Sequence, residues 1–260
     1  MDRMIDIHSH ILPGIDDGAA NLEEALALAK AAAKEGITDI IATPHYANGA
    51  FMNRAQDIRR HVQEFNEELK RSGIPLTVHA GQEIRVHHGM LDAWHGGELL
   101  TLADTNYILL EMPGSCVPKQ MTEWIHELQV LGLIPVIAHP ERNIEVMEDP
   151  RLLQQLVAEG AVAQLTTHSL LGAFGPKIRK TAWELCRMGK AHFVASDAHH
   201  PQKRSFRMRE AYQSIRSELG DGVASCFSRN CAKMMKSERV DSIPESRKRF
   251  FSLPKFLRKL

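Results

Sequence analysis

The sequence predicts an α/β fold in which parallel strands alternate with helices and close into a (β/α)7, TIM-like barrel. Three observations carry this reading. Seven short apolar runs are spaced so that helix-forming segments or long connections lie between them, the pattern of a parallel sheet. Right-handed crossovers between such units leave a barrel or a doubly wound sheet as the compact solutions. No G-x-G-x-x-G follows the first run, which favours the barrel over a dinucleotide-binding sheet.

The elements follow in order. Residues 4–7 form the first strand. Asn21 is a helix N-cap with Glu24 three residues on, a capping-box pattern. The Ala/Leu-rich run 22–35 is a strong helix former and stops at Gly36. Residues 39–42 are the second strand, and 54–71 make a charged amphipathic helix ending at Ser72-Gly73. Residues 76–80 and 107–110 are the third and fourth strands. Helix 119–131 leads to the fifth strand, 134–138, and helix 151–159 to the sixth, 161–165. Helix 176–188 leads to the seventh strand, 192–195, and helices 205–219 and 222–235 close the fold. The domain so defined spans residues 1–236. Residues 237–260 carry seven Lys/Arg against three Asp/Glu, with Pro244 and Pro254 among them. They are expected to be a basic, flexible tail, with docking on an anionic membrane surface as its functional alternative.

Bulk properties exclude little but point one way. Formal net charge is zero, so nucleic acid is not an expected partner. The four cysteines make no C-x-x-C pair, which gives neither a zinc ribbon nor a disulfide framework. No apolar leader follows Met1, and no stretch approaches the roughly 18 to 20 apolar residues of a membrane span. A cytoplasmic protein is expected. Histidine, with 14 copies, is the unusual component.

His8 and His10 stand two apart at the end of the first strand, so both imidazoles face one way. Asp16 and Asp17 follow closely; spacing alone cannot separate them. His45 follows the second strand, Glu83 the third, Glu111 ends the fourth, His139 ends the fifth, and Asp197 and His199 end the seventh. In a βα barrel these C-terminal strand ends form one rim, where active sites sit. Five imidazoles and four carboxyl groups crowded there would repel or desolvate one another without a cation. Nine ligands exceed the four to six that one transition metal takes, so two or three divalent ions are expected.

These residues also carry a resemblance. Asp6-Ile-His8-Ser-His10, His45, Glu83, Glu111, His139 and Asp197-Ala-His199 together resemble the PHP (polymerase and histidinol phosphatase) superfamily. More narrowly, His8-Ser-His-Ile-Leu-Pro-Gly-Ile-Asp-Asp-Gly18, Thr43-Pro-His45, His139-Pro-Glu-Arg142 and Ser196-Asp-Ala-His199 are similar to the bacterial manganese-dependent tyrosine-protein phosphatases of capsule and exopolysaccharide clusters, the CpsB/YwqE type. Four separated motifs agree in order, and the likeness runs from about residue 1 to 235. The resemblance implies a distorted barrel, the PHP fold, with three metal positions. His8, His10, Glu83 and Asp197 would hold the first. Glu83, Glu111 and His139 would hold the second. Asp17, rather than Asp16, would hold the third with His45 and His199. It also implies Mn2+ as the ion, with Fe, Co or Zn as alternatives. The implied substrate is a phosphotyrosine protein, namely a bacterial tyrosine kinase that governs polysaccharide synthesis.

Clustered cations would activate a water to attack phosphorus. Arg142, three residues past His139, suits a bidentate phosphate contact, against the plainer reading of an ion pair with Glu141. Arg204 is a second phosphate-binding candidate, and His199 a candidate acid for the leaving group. A thiolate route is excluded, because the residues six places after Cys116, Cys186, Cys226 and Cys231 are Thr122, His192, Ala232 and Ser237, not Arg. Three rivals stand. One is a histidinol-phosphate or other small phosphomonoester phosphatase. Another is a metal-dependent amidohydrolase, which Glu83 and Glu111 at the strand ends disfavour. The third is a metal-stabilised scaffold that binds a kinase without catalysis. Of the other histidines only His168, after the sixth strand, merits a test.

Overall fold

The computed structural model describes residues 4–49 and 51–243. Its strands are β1 (Met4–Ser9), β2 (Ile37–Ala42), β3 (His45–Asn48), β4 (Phe51–Met52), β5 (Thr77–Ala80), β6 (Glu83–Arg85), β7 (Tyr107–Glu111), β8 (Ile134–Ala138), β9 (Val162–Thr166) and β10 (Phe193–Ala195). One sheet has the order β1-β2-β5 and the other β10-β9-β8-β7-β6-β3-β4. Every pair is parallel except β3 with β4. The fold is therefore mixed α/β with parallel sheets, and the ladder is divided in two.

The division comes from two bends. The second expected strand continues beyond Ala42, breaks at Thr43-Pro44 and resumes as β3 in the other sheet; the third does the same at Gly81-Gln82, between β5 and β6. Pro44 has no N–H to give a ladder. At Gly81 a Cβ would lie 2.5 Å from Ile41 Cγ2, so the strands approach there only because the residue is glycine. Gln82 is fully buried and takes over as linker: its Nε2 donates to the Asn53 carbonyl (2.5 Å) and its Oε1 accepts from Leu100 N (2.9 Å). Gly81→Ala should accordingly cost about 1–3 kcal/mol, read as a lowered midpoint in denaturant unfolding.

The free edges β1 and β10 meet just past their ends. Asp197 N donates to His8 O and His10 N to Ala198 O, both at 2.9 Å, and Ser9 bridges Ala198. Asp6 fastens the same seam, accepting from Ser196 N (2.9 Å) and Ser196 Oγ (2.5 Å). Burial pushes the Asp6 carboxyl up to about 6 in spite of these bonds.

The helices expected from the sequence form with small shifts of their ends. The first is α1 (Leu22–Glu35), where Asn21 Oδ1 accepts from Glu24 N (3.0 Å) and Gly36 takes φ 85° as the left-handed stop. Short helices at Met90–His95, Ile144–Glu148 and Thr167–Leu171 had no sequence periodicity to announce them. The strands of both sheets contribute to one apolar cluster that includes Ile5, Ile7, Ile41, Tyr107, Leu109, Val136 and Phe193. Along β7 the same face runs Tyr107, Leu109, Glu111. Apolar rows thus fill the interior, and the carboxylate arrives only at the C-terminal rim.

Residues 237–243, assigned to the tail by sequence, pack on the body. Tyr107 Oη donates to Glu238 O (2.8 Å), Asn230 Oδ1 accepts from Asp241 N (2.8 Å), and Ile243 is buried. The rest of the expected tail, 244–260, lies outside the described residues.

Candidate metal centre

The rim brings the nine expected residues into one cluster. His8 Nε2 and His10 Nε2 are 3.3 Å apart, so the pair does converge. The register between β3 and β6 sets His45 directly beside Glu83. Around Glu83 Oε2 stand His45 Nδ1 at 3.1 Å, His10 Nε2 at 3.2 Å and His8 Nε2 at 3.3 Å, while Oε1 is 2.7 Å from His139 Nε2. Asp197 Oδ1 lies 3.4 Å from both His8 Nε2 and His10 Nε2. Asp17 Oδ1 lies 3.4 Å from both His45 Nε2 and His199 Nε2. Glu111 Oε2 is 3.9 Å from His45 Nδ1. Four ligand-like groups result: His10, Asp17, His45 and His199; His8, His10 and Asp197; His8, Glu83 and His139; His45, Glu83 and Glu111. His10 also joins the Asp17 group here, whereas the resemblance implies it only beside His8, Glu83 and Asp197.

The outer ring nitrogens are held by further groups. His8 Nδ1 faces Gln164 Oε1 at 2.9 Å and His10 Nδ1 faces Asp16 Oδ2 at 2.6 Å, which turns both Nε2 atoms inward. The two adjacent aspartates thus divide the work: Asp16 is buried against His10, and Asp17 reaches the cluster. Gly18 is needed beneath them, since a Cβ there would sit 2.0 Å from the His10 carbonyl oxygen. His199 Nδ1 lies 3.0 Å from the Asp197 carbonyl. His139 (φ 32°) and Asp197 (φ 54°) adopt the left-handed region, which costs about 1–3 kcal/mol each and gathers at functional sites.

The electrostatics test whether a cation fits. Glu83 Oε2 is fully buried and has no hydrogen-bond partner, although three imidazole nitrogens surround it. Burial would raise the Glu83 carboxyl, yet His8, His10 and His139 hold it well below the usual range. Burial would raise Asp197 too, but Arg142, His8 and Arg204 keep it well below. The hydrogen bond with His199 lowers Asp17 to about 2. Glu111 goes the other way: burial and the neighbouring Glu83 push it up to about 8. Burial lowers His45 and His199, so both favour the neutral, ligating form. Burial opposes charge on His8 and His10 too, but Glu83 and Asp197 raise His8 and Asp16 raises His10, positive charge that a bound cation would replace. Three ionised carboxylates, a fourth that resists ionisation and an oxygen with no donor fit a site built for positive ions.

Both expected arginines are present. Arg142 Nη1 lies 2.6 Å from Asp197 Oδ2, and Arg204 Nη2 bonds the same oxygen. Arg142 also donates to Thr166 Oγ1 (3.0 Å). Glu141 is not its partner; that buried carboxylate accepts from Thr166 N and Oγ1 instead. Phe174 carries both guanidiniums, 4.5 Å from Arg142 and 5.8 Å from Arg204. His168 lies against Phe174 with its ring tilted by 35°, and burial with Arg207, Arg204 and Arg142 lowers it to about 4. It is a neutral support for that aromatic ring, outside the cluster.

Above the cluster opens a cavity of about 320 Å³, lined by Asp17, His45, Glu83, Glu111, His139, Asp197 and His199 together with Arg142 and Arg204. His8 and His10 lie beneath it. Arg85 and Asn48 also line it. The sequence reading missed both, though Arg85 stands two residues past Glu83 on the same strand face. Cys116 lies outside this lining set.

Comparison with known proteins gives a consistent answer. The family described as "Capsular polysaccharide synthesis, CpsB/CapC" matches residues 4–236. Tyrosine-protein phosphatase YwqE of Bacillus subtilis (strain 168) is 40% identical over 237 residues, covering 91% of this chain and 93% of that protein. The putative tyrosine-protein phosphatase CapC of Staphylococcus aureus is 35% identical over 239 residues, with 91% and 93% covered. A solved structure from work on YwqE of Bacillus subtilis and CpsB of Streptococcus pneumoniae, described there as unique metal-dependent tyrosine phosphatases, superposes with a TM-score of 0.90 at 40% identity. The match covers 94% of this chain and 98% of that one.

Proposed function

The chain belongs to the CpsB/CapC family of capsular polysaccharide synthesis, and we infer from this and from the rim that it is a metal-dependent protein-tyrosine phosphatase. The observation that carries the chemistry is Glu83 Oε2, buried among three imidazole nitrogens with no donor of its own. We read the fold as a distorted (β/α)7 barrel closed by the Asp6–Ser196 seam, with the catalytic domain of residues 1–236 extended by the packed segment 237–243. Among the described residues no helix is long and apolar enough to cross a membrane, which accords with work in the cytoplasm.

His8, His10, Glu83 and Asp197 would hold one ion, Glu83, Glu111 and His139 a second, and Asp17, His45 and His199 a third. Mixed imidazole and carboxylate donors suit Mn2+ among several metals. Bound there, divalent cations clamp phosphoryl oxygens and bring the pKa of a water toward neutrality. The chain's own part is positioning and charge. Arg142 and Arg204 share one oxygen of Asp197, and a phosphoryl group entering the cavity offers both a better-matched anion. Phe174 keeps the two guanidiniums facing that way. His199 has Nδ1 at a carbonyl and Nε2 at Asp17, so we assign it to ligation rather than to protonation of the leaving group. A phenolate, of pKa near 10, leaves without much help. The substrate is proposed to be phosphotyrosine on a bacterial tyrosine kinase that controls polysaccharide synthesis.

The test is a direct competition. Protein supplemented with Mn2+ should turn over a phosphotyrosine peptide far faster than histidinol phosphate, with metal found by elemental analysis. Preference for histidinol phosphate, or activity indifferent to chelation, would overturn the reading. Arg142→Ala, assayed at saturating Mn2+ because Arg142 also holds Asp197, should lower kcat/KM by about 10²-fold, the usual loss for one donor to a developing anion.

A further inference from the structure

One guanidinium at the cavity is arranged unlike the other two. Arg142 and Arg204 both lean on a single oxygen of Asp197. Arg85 lines the same cavity, and the register between β6 and β7 places it directly across from Glu111. Its Nη2 lies 3.0 Å from Glu111 Oε1 and donates to Asn48 Oδ1 at 3.2 Å. Its Nη1 donates to the Met112 carbonyl (3.4 Å). Asn48 completes a ring, donating from Nδ2 to the other Glu111 oxygen, Oε2, at 3.1 Å. The same Nδ2 is 3.3 Å from His45 Nδ1. Two partners from separate strands therefore grip one carboxylate.

We propose that Arg85 and Asn48 are positioning residues for the metal centre: Arg85 at Oε1 and Asn48 at Oε2 fix the plane of the Glu111 carboxylate, so that it would face the ligand cluster beside Glu83. The proposal rests on the metal-centre reading above and deepens it. The planar fork of Arg85 suits it to orient a carboxylate. Its two terminal nitrogens already hold three protein acceptors, which leaves the substrate's phosphoryl group to Arg142 and Arg204. Carboxylates that bind metals need such outer partners, and losing one commonly weakens metal binding 10- to 100-fold.

The test reads metal, not turnover. The full chain, stripped by chelation, is titrated with Mn2+ alone by calorimetry as wild type, Arg85→Gln, Glu111→Gln and the double variant, with Asn48→Ala as a second probe should Arg85→Gln fold poorly. Arg85→Gln should weaken the loosest Mn2+ by about 10- to 100-fold, or remove one equivalent, and should add nothing on the Glu111→Gln background. Asn48→Ala should weaken the same ion. At saturating Mn2+ the KM for a phosphotyrosine peptide should stay unchanged. Wild-type Mn2+ binding in Arg85→Gln, additive losses in the double variant, or a raised KM with unchanged Mn2+ affinity would each overturn the proposal. Absence of Mn2+ binding in the wild type would instead bring down the metal-centre reading on which it stands.

Discussion

Glu83→Gln is expected to lower kcat/KM for a phosphotyrosine peptide by at least about 10³-fold, roughly 4 kcal/mol of transition-state stabilisation, while the fold survives. Among the described residues Glu83 is the one carboxylate that meets four imidazoles: His8, His10 and His45 around Oε2 and His139 at Oε1. Glutamine keeps the shape but offers one oxygen and no charge. Its amide nitrogen would then face either His139 or the three other rings, and neither orientation supplies the anion they converge on. Two of the four ligand-like groups contain Glu83, so a single substitution should lower occupancy at more than one position. Kinetics with elemental analysis on the same sample checks this, and circular dichroism verifies the fold. Retention of activity within tenfold and of full metal content would show that Glu83 is not a shared ligand.

The residues around Glu83 also show how much of this cluster the chain order alone brings together. Glu111 and His139 were legible because a strand that has been apolar for four residues has no packing reason to end in an ionisable group, and His8 and Asp197 because they close short strands and are each followed two residues on by a histidine. Parallel topology then collects those ends on one rim. The bends were not legible. The apolar run before Thr43-Pro44 reads as an ordinary strand, and only the approach of Ile41 to Gly81 reveals why the chain must turn there. The supporting partners were hidden for a different reason. Gln164 lies 156 positions from His8, and Asn48 is 63 from Glu111; spacing along a strand says nothing about such pairs. Asp16 and Asp17 were equivalent by spacing, and their separate roles come from which imidazole each meets. Arg85 differs from these, since its place two residues past Glu83 on one strand face is already written in the sequence.

Removing the metal should cost stability as well as activity, and the cost should depend on pH with a definite sign. Without a cation, burial and Glu83 push Glu111 up to about 8, whereas the same carboxyl in the unfolded chain ionises near 4.3. Between these values the folded protein holds a proton that the unfolded chain has released. Stability of the chelated protein must then fall as pH rises through that window, by up to about 1.4 kcal/mol per pH unit from this group. Below the window both states are protonated and the contribution is flat. A bound cation takes the proton's place, so the loaded protein should lose this slope, and loading near pH 7 should release a proton. Ions at about a thousand times their Kd add roughly 4 kcal/mol per site, on the order of 10 °C in Tm for a chain of this size. Thermal scans at pH 5.5, 6.5 and 7.5, with and without chelator, give the comparison. The gap between loaded and stripped protein should widen from the first to the last. A constant gap would mean that Glu111 is already ionised in the stripped site, and that Arg85 at 3.0 Å outweighs burial and the charge of Glu83.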